Sequence, residues 1–130
     1  MRWQIYCFLS ERRSNLIADW LKSERVSAAQ RGDFQAKIDL FERGGPDLIT
    51  GFITETPIAA DIYKMKVKGK VQLRPMACKG PIDLNREYTI LLGWIERDRE
   101  RVPTEVKRKA QENRLIVVND PTRRRRERLN

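Results

Sequence analysis

The sequence predicts a single α+β domain built from one sheet and a few helices, and three observations carry this. The chain has 130 residues, enough for one core and too few for two. Apolar residues recur at helical spacing before Pro57 and at a period of two after it. An almost wholly apolar run at 88–95 (Ile90, Leu91, Leu92, Trp94, Ile95) has the pattern of a central strand covered on both faces.

The first element spans residues 2–9. Trp3, Ile5, Cys7 and Leu9 alternate with Tyr6 and Phe8, a strand rich in β-forming side chains. The polar stretch 11–14 ends it. Ser14 or Asn15 can then cap a short helix whose Leu16, Ile17, Trp20 and Leu21 fall on one side. A second helix starts near Ser27, carries the stripe Phe34, Ile38 and Phe41, and stops at Gly44, Gly45 and Pro46, with Gly32 marking a break within it.

Between positions 64 and 74, Lys64, Lys66, Lys68, Lys70, Gln72 and Arg74 alternate with Met65, Val67, Gly69, Val71 and Leu73, so one face is cationic and the other apolar. A two-residue turn at Lys68 and Gly69 would mix these faces. A three-residue loop over Lys68, Gly69 and Lys70 keeps them apart, pairing Val67 with Val71, Met65 with Leu73 and Lys64 with Arg74. Like charges then oppose one another, which is unfavourable by up to ~1 kcal/mol unless an anion lies across them. The alternative is an ordinary solvent face on which lysines keep an edge from aggregating. Beyond the apolar strand, Pro103 leads a helix containing Val106 and Ala110, with Lys107, Arg108 and Lys109 beside them. The run Leu115, Ile116, Val117 and Val118 reads either as the end of that helix or as an edge strand.

Charge and missing residues narrow the function. Lys plus Arg number 27 against 18 Asp plus Glu, a formal net charge of +9, which points to a polyanionic partner such as nucleic acid. Histidine is absent, which excludes His-based triads, His metal ligands and an imidazole base. Neither a metal nor a cofactor is expected. Cys7 and Cys78 stand far apart and read as buried thiols in a reducing cytoplasm. The start of the chain lacks the order of a signal peptide, and no apolar run approaches the roughly 20 residues a membrane span requires. Residues 121–130 carry five Arg and one Glu. After Asp120 and Pro121 this stretch reads as a disordered basic arm outside a domain of residues 1–120, either simply solvated or binding phosphates through Arg123, Arg124, Arg125 and Arg126. Walker, dinucleotide-binding, GxSxG and HExxH motifs do not occur.

RNA cleavage by 2′-hydroxyl attack needs a proton acceptor, charge stabilisation at phosphorus and a proton donor. The groups available are Lys66, Lys79 or Glu87 for proton transfer, Arg74 and Arg97 for charge, and Tyr88 as a donor. A cluster of Lys64, Lys66, Lys68 and Arg74 would lower a lysine pKa by like-charge repulsion. Lys64, Lys68, Lys70 and Lys79 are the candidate phosphate contacts on the body.

Several of these residues resemble a known family. The helix Leu16, Ile17, Ala18, Asp19, Trp20, Leu21; a Tyr-x-x-x-Val strand at 63–67; Leu73, Arg74, Pro75 and Met76; Leu91, Leu92, Gly93 and Trp94; and Pro103 with Ala110 are similar to the RelE/HigB-like toxins, especially their phage-derived branch, over about 3–112. The resemblance implies a small antiparallel sheet faced by N-terminal helices, with a short C-terminal helix. It also implies a toxin that binds the ribosome, cleaves mRNA and is held inactive by a cognate antitoxin. Arg74 matches the family's basic residue on a central strand, and Lys66 falls where an arginine usually ends the preceding strand. The family commonly places two lysines after its strand-terminal aromatic; here Glu96 and Arg97 stand there. A non-catalytic nucleic-acid-binding phage protein, or a gyrase-inhibiting ParE-like relative, remains the alternative.

Overall fold

The computed structural model describes residues 2–130. In chain order the elements are β1 (Gln4–Phe8), α1 (Leu16–Ser23), α2 (Ala28–Gly44), β2 (Tyr63–Lys64), β3 (Gln72–Leu73), β4 (Met76–Lys79), β5 (Glu87–Leu92), β6 (Ile95–Glu96), α3 (Thr104–Asn119) and β7 (Arg124–Arg125). The class is α+β: a five-stranded sheet of order β2-β4-β5-β1-β7 and a two-stranded β3-β6 sheet. None of the described helices is long and apolar enough to cross a membrane.

Local signals account for the helices. The Asn15 side chain accepts from the Ile17 and Ala18 amides at 3.0 Å and so caps α1. Ser27 caps α2 by accepting from Gln30 N at 3.1 Å. Gly32 does not break α2, which runs on to Gly44. Gly45 then adopts φ +63°, and a Cβ there would lie 2.3 Å from the Trp3 indole nitrogen, so both backbone sign and space call for glycine. The run 115–118 closes α3, whose Ala110, Asn113 and Val117 are buried.

The sheet is covered on both faces. Ile5, Cys7, Ala77, Tyr88 and Ile90 pack with Ile17, Leu21, Phe34, Ile38 and Phe41 of α1 and α2. Phe8, Met76, Cys78 and Leu91 pack with Ala110 and Val117 of α3. Double coverage is why every residue of the central β5 is buried.

Four expectations are corrected. The sheet is mixed, because β1 runs parallel to β5 in the register Ile5↔Tyr88 and Cys7↔Ile90. The long connection through α1, α2 and the β2–β4 segment gives the chain room to return in the same direction. The basic hairpin closes two residues later than the three-residue loop: Val67 pairs with Leu73 and Lys64 with Met76. The apolar strand stops at Leu92; at Gly93 the Trp20 ring lies 2.0 Å from where a Cβ would point, and Ile95 joins β3.

The fourth correction concerns the arginine-rich terminus, which is a folded clasp. Arg124 and Arg125 pair antiparallel with Phe8 and Cys7, covering the free edge of β1. The Arg124 guanidinium meets Glu87 at 2.8 Å and lies 3.7 Å from the Tyr6 ring centroid. Arg126 bonds Glu42, Arg128 bonds Asp39, and the Leu129 amide donates to Gln35 Oε1 at 2.7 Å. The terminus belongs to the domain because acidic and apolar partners await it on α2, β1 and β5. The Arg123 head packs on the Phe8 ring and donates to Leu9 O.

Candidate nucleic-acid interface

Arg74 is the buried cation of the alternating basic stretch. It follows β3, and its amide donates to Trp94 O at 2.8 Å, tying the hairpin to the β5–β6 connection. Its residue is only 7% exposed. The guanidinium is incompletely satisfied: Nη1 donates to Leu73 O at 3.0 Å, while Nη2 reaches Gln72 Oε1 and Glu96 Oε2 at 3.4 Å each. Nε is buried without a hydrogen-bond partner. A buried cation left short of acceptors is costly, and an added anion relieves that cost.

The strand register gathers the neighbours. Lys64↔Met76 and Val67↔Leu73 place Lys66 across from Arg74. Antiparallel pairing of Gln72 with Glu96 brings the carboxylate of β6 to the guanidinium. Lys64 is half-buried, and its pKa lies below the ordinary lysine value, first because of burial and then because Lys66 and Arg74 repel its charge; Glu96 acts in the opposite direction.

Lys68 and Lys70 are exposed at the hairpin tip. The Gln30 amide holds the tip by donating to Val71 O at 2.5 Å. Beside it, a groove of about 470 Å³ is lined by Lys37, Lys66 and Lys68, with Ile49 and Phe52 forming its apolar part. Lys37 also pairs with Asp33 at 3.3 Å. The groove and the Arg74 cluster share Lys66.

Other candidates lie elsewhere. Tyr88 occupies the opposite end of β5 within an aromatic core, with ring centroids 5.7 Å from both Trp3 and Phe41, and burial pushes its hydroxyl up to about 12. Lys79 pairs in register with Tyr88, its ammonium 5.3 Å from the Tyr63 ring. Lys79 lies five positions along the chain from Arg74, roughly 16 Å at strand rise. Glu87 is committed to Arg124. Arg97 is exposed directly after Glu96, its amide donating to the Glu100 carboxylate at 3.1 Å. Arg123 and Arg124 are drawn into the clasp, while Arg125 and Arg126 stay about half exposed with Glu127 and Glu42 as partners.

Glu96, Gln72 and Lys37 were not among the candidates. Gln72 was legible on the cationic face of the alternating stretch, whereas the β3–β6 pairing that delivers Glu96 leaves no local signal. Among the described residues no group of three or more His, Cys, Asp or Glu side chains forms a metal-ligand cluster. Comparison with known family models and with curated proteins finds no match.

Proposed function

We propose that the chain is the toxin of a toxin–antitoxin pair, acting in the cytoplasm as an endonuclease on ribosome-bound mRNA. The observation that carries this reading is the buried, under-bonded Arg74 guanidinium flanked by Lys64 and Lys66. Two lysines beside one partly satisfied guanidinium suit a phosphodiester whose charge grows in the transition state. Lys66, Lys68 and Lys37 continue the positive surface along the groove, where the backbone of a single strand would be neutralised. Arg97 borders the cluster in sequence. Tyr88, embedded in aromatic packing away from Arg74, has no part in the proton transfer. The resemblance to RelE/HigB-like toxins supplies the ribosome and the cognate antitoxin as partners.

Mapping mRNA ends by primer extension after induction tests the reading. Wild-type protein should produce discrete new ends. Arg74→Ala should reduce cleavage on the order of 10²-fold or more, the scale for losing a preorganised charge stabiliser, with a modest effect on binding. Intact mRNA in the presence of folded wild-type protein ends the nuclease reading. The Arg74–Glu96 contact favours a second one, a non-catalytic nucleic-acid-binding or gyrase-inhibiting module, because the carboxylate partly neutralises the cation. Growth arrest with DNA damage, or nucleic-acid binding without cleavage, identifies that alternative.

A further inference from the structure

Glu96 is placed beside Arg74 by the pairing of β6 with β3, and the ion pair it makes there is a loose one. Its Oε2 meets Arg74 Nη2 at 3.4 Å, with its side chain 19% exposed. The buried pair elsewhere in the protein, Arg124 with Glu87, closes to 2.8 Å with exposures of 5% and 9%. Charge-assisted bonds that serve stability typically close to 2.7–2.9 Å. The Glu96 contact is therefore loose, and its carboxylate remains accessible beside a guanidinium that still has an unpartnered buried N–H.

We propose that Glu96 is the proton acceptor of the cleavage reaction, with RNA bearing a free 2′-hydroxyl as substrate; this rests on the nuclease reading of the same cluster. A phosphate held by Arg74 and Lys66 places the adjacent ribose at the Glu96 carboxylate. Glu96 takes the 2′-hydroxyl proton as O2′ forms a bond to phosphorus. The bond from phosphorus to O5′ breaks, and the ammonium of Lys64 gives the leaving oxygen its proton. The products are a 2′,3′-cyclic phosphate and a 5′-hydroxyl, with Glu96 protonated, Lys64 neutral and both restored by exchange with water. Lys64 suits the donor role because it stands two positions from Lys66 on the strand whose register sets Lys66 across from Arg74, and burial with the neighbouring cations makes its proton less tightly held than an ordinary lysine's. A carboxylate offers lone pairs that can take a proton, which an ammonium or a guanidinium does not. The acidic residue at 96, which departs from the lysines of the resembled family, thereby gives a chain without histidine an acceptor.

The test compares the wild-type full chain with Glu96→Gln on ribosome-bound mRNA and on a free single-stranded RNA oligonucleotide. Affinity is measured separately on the same oligonucleotide carrying 2′-deoxyribose at the cut site. Glu96→Gln should lose about 10²–10⁴-fold in cleavage at saturation, the range for a general base. Binding of the deoxy-substituted strand should be equal or tighter, since a negative charge is removed. The acidic limb of the wild-type pH profile should vanish in the residual activity of the variant. A thermal melt matching wild type shows that Glu96→Gln is folded. Should the variant instead melt low, Glu96→Asp, which keeps the charge, must recover both the fold and part of the cleavage. If wild type cleaves and folded Glu96→Gln cleaves within about threefold of it, Glu96 is only a neutralising partner and the assignment falls while the nuclease reading stands. If wild type cuts neither substrate, both fall together.

Discussion

Arg124→Ala tests whether the arginine-rich terminus is a clasp or an arm. In the structure this side chain is 5% exposed, its Nη1 is 2.8 Å from Glu87 Oε2, and its guanidinium is 3.7 Å from the Tyr6 ring centroid. Truncation leaves Glu87, itself 9% exposed in its side chain, with one remaining amide donor, Asp83 N at 3.1 Å. Removing one partner of a buried ion pair costs about 3–5 kcal/mol. The lost cation–π contact adds about 1 kcal/mol, and water entering the space left at the sheet edge returns some of both. The net expectation is ~3–4 kcal/mol, a fall in Tm of about 10–15 °C for a chain of this size. Arg128 and Asp39, whose side chains are 63% and 42% exposed, make a solvent-screened pair. Arg128→Ala should therefore lose no more than about 1 kcal/mol. Urea unfolding followed by tryptophan fluorescence separates the cases, with constant slope as the check on two-state behaviour. If Arg124→Ala loses no more than Arg128→Ala, the terminus is the solvated arm that its composition suggests and the clasp argument is wrong.

Lys64→Met should raise the urea midpoint at neutral pH while weakening RNA binding. Because the folded-state pKa of Lys64 is lowered, charging it destabilises the fold below that pKa; the gap between variant and wild type should close as pH rises past the ordinary lysine value of 10.5. Gly93→Ala, whose Cβ would fall 2.0 Å from the Trp20 ring, should cost about 1–3 kcal/mol by overpacking, seen as a lower melting temperature. Cys7 and Cys78, pushed by burial to about 12 and about 11, should resist an aromatic disulfide reagent until urea unfolds the chain, when two thiols react. Their raised values stabilise the fold below the ordinary thiol pKa of 9.0, so that contribution should be lost as pH climbs above it. Affinity for single-stranded RNA should fall steeply between 50 and 200 mM salt as counterions are released, and a flat response would argue against backbone contacts.

The sequence alone determined whatever depends on neighbours a few positions apart. Asn15 and Ser27 announced α1 and α2, the alternation at 64–74 announced a cationic and an apolar face, and the run beginning at 88 announced a central strand. These signals are local because a capping bond reaches two or three residues, and helix and strand periods repeat within one or two turns. Tertiary structure decided the pairings between distant segments. Whether β1 runs parallel to β5 depends on the path of the chain between them, which no pattern within either strand encodes. The hairpin register was set by the Val67–Leu73 and Met65–Pro75 backbone bonds rather than by the shortest loop. The terminus looked like an arm because its partners, Glu87, Glu42 and Asp39, lie 37, 84 and 89 positions away. Glu96 approaches Arg74 across 22 positions only because β6 leaves the main sheet at Gly93 to pair with β3. Burial made the remaining distinction, since equal formal charges give Arg74 and Arg124 the same letter in the sequence. In the fold one guanidinium is left short of acceptors beside two lysines, and the other is closed by a carboxylate and an aromatic ring.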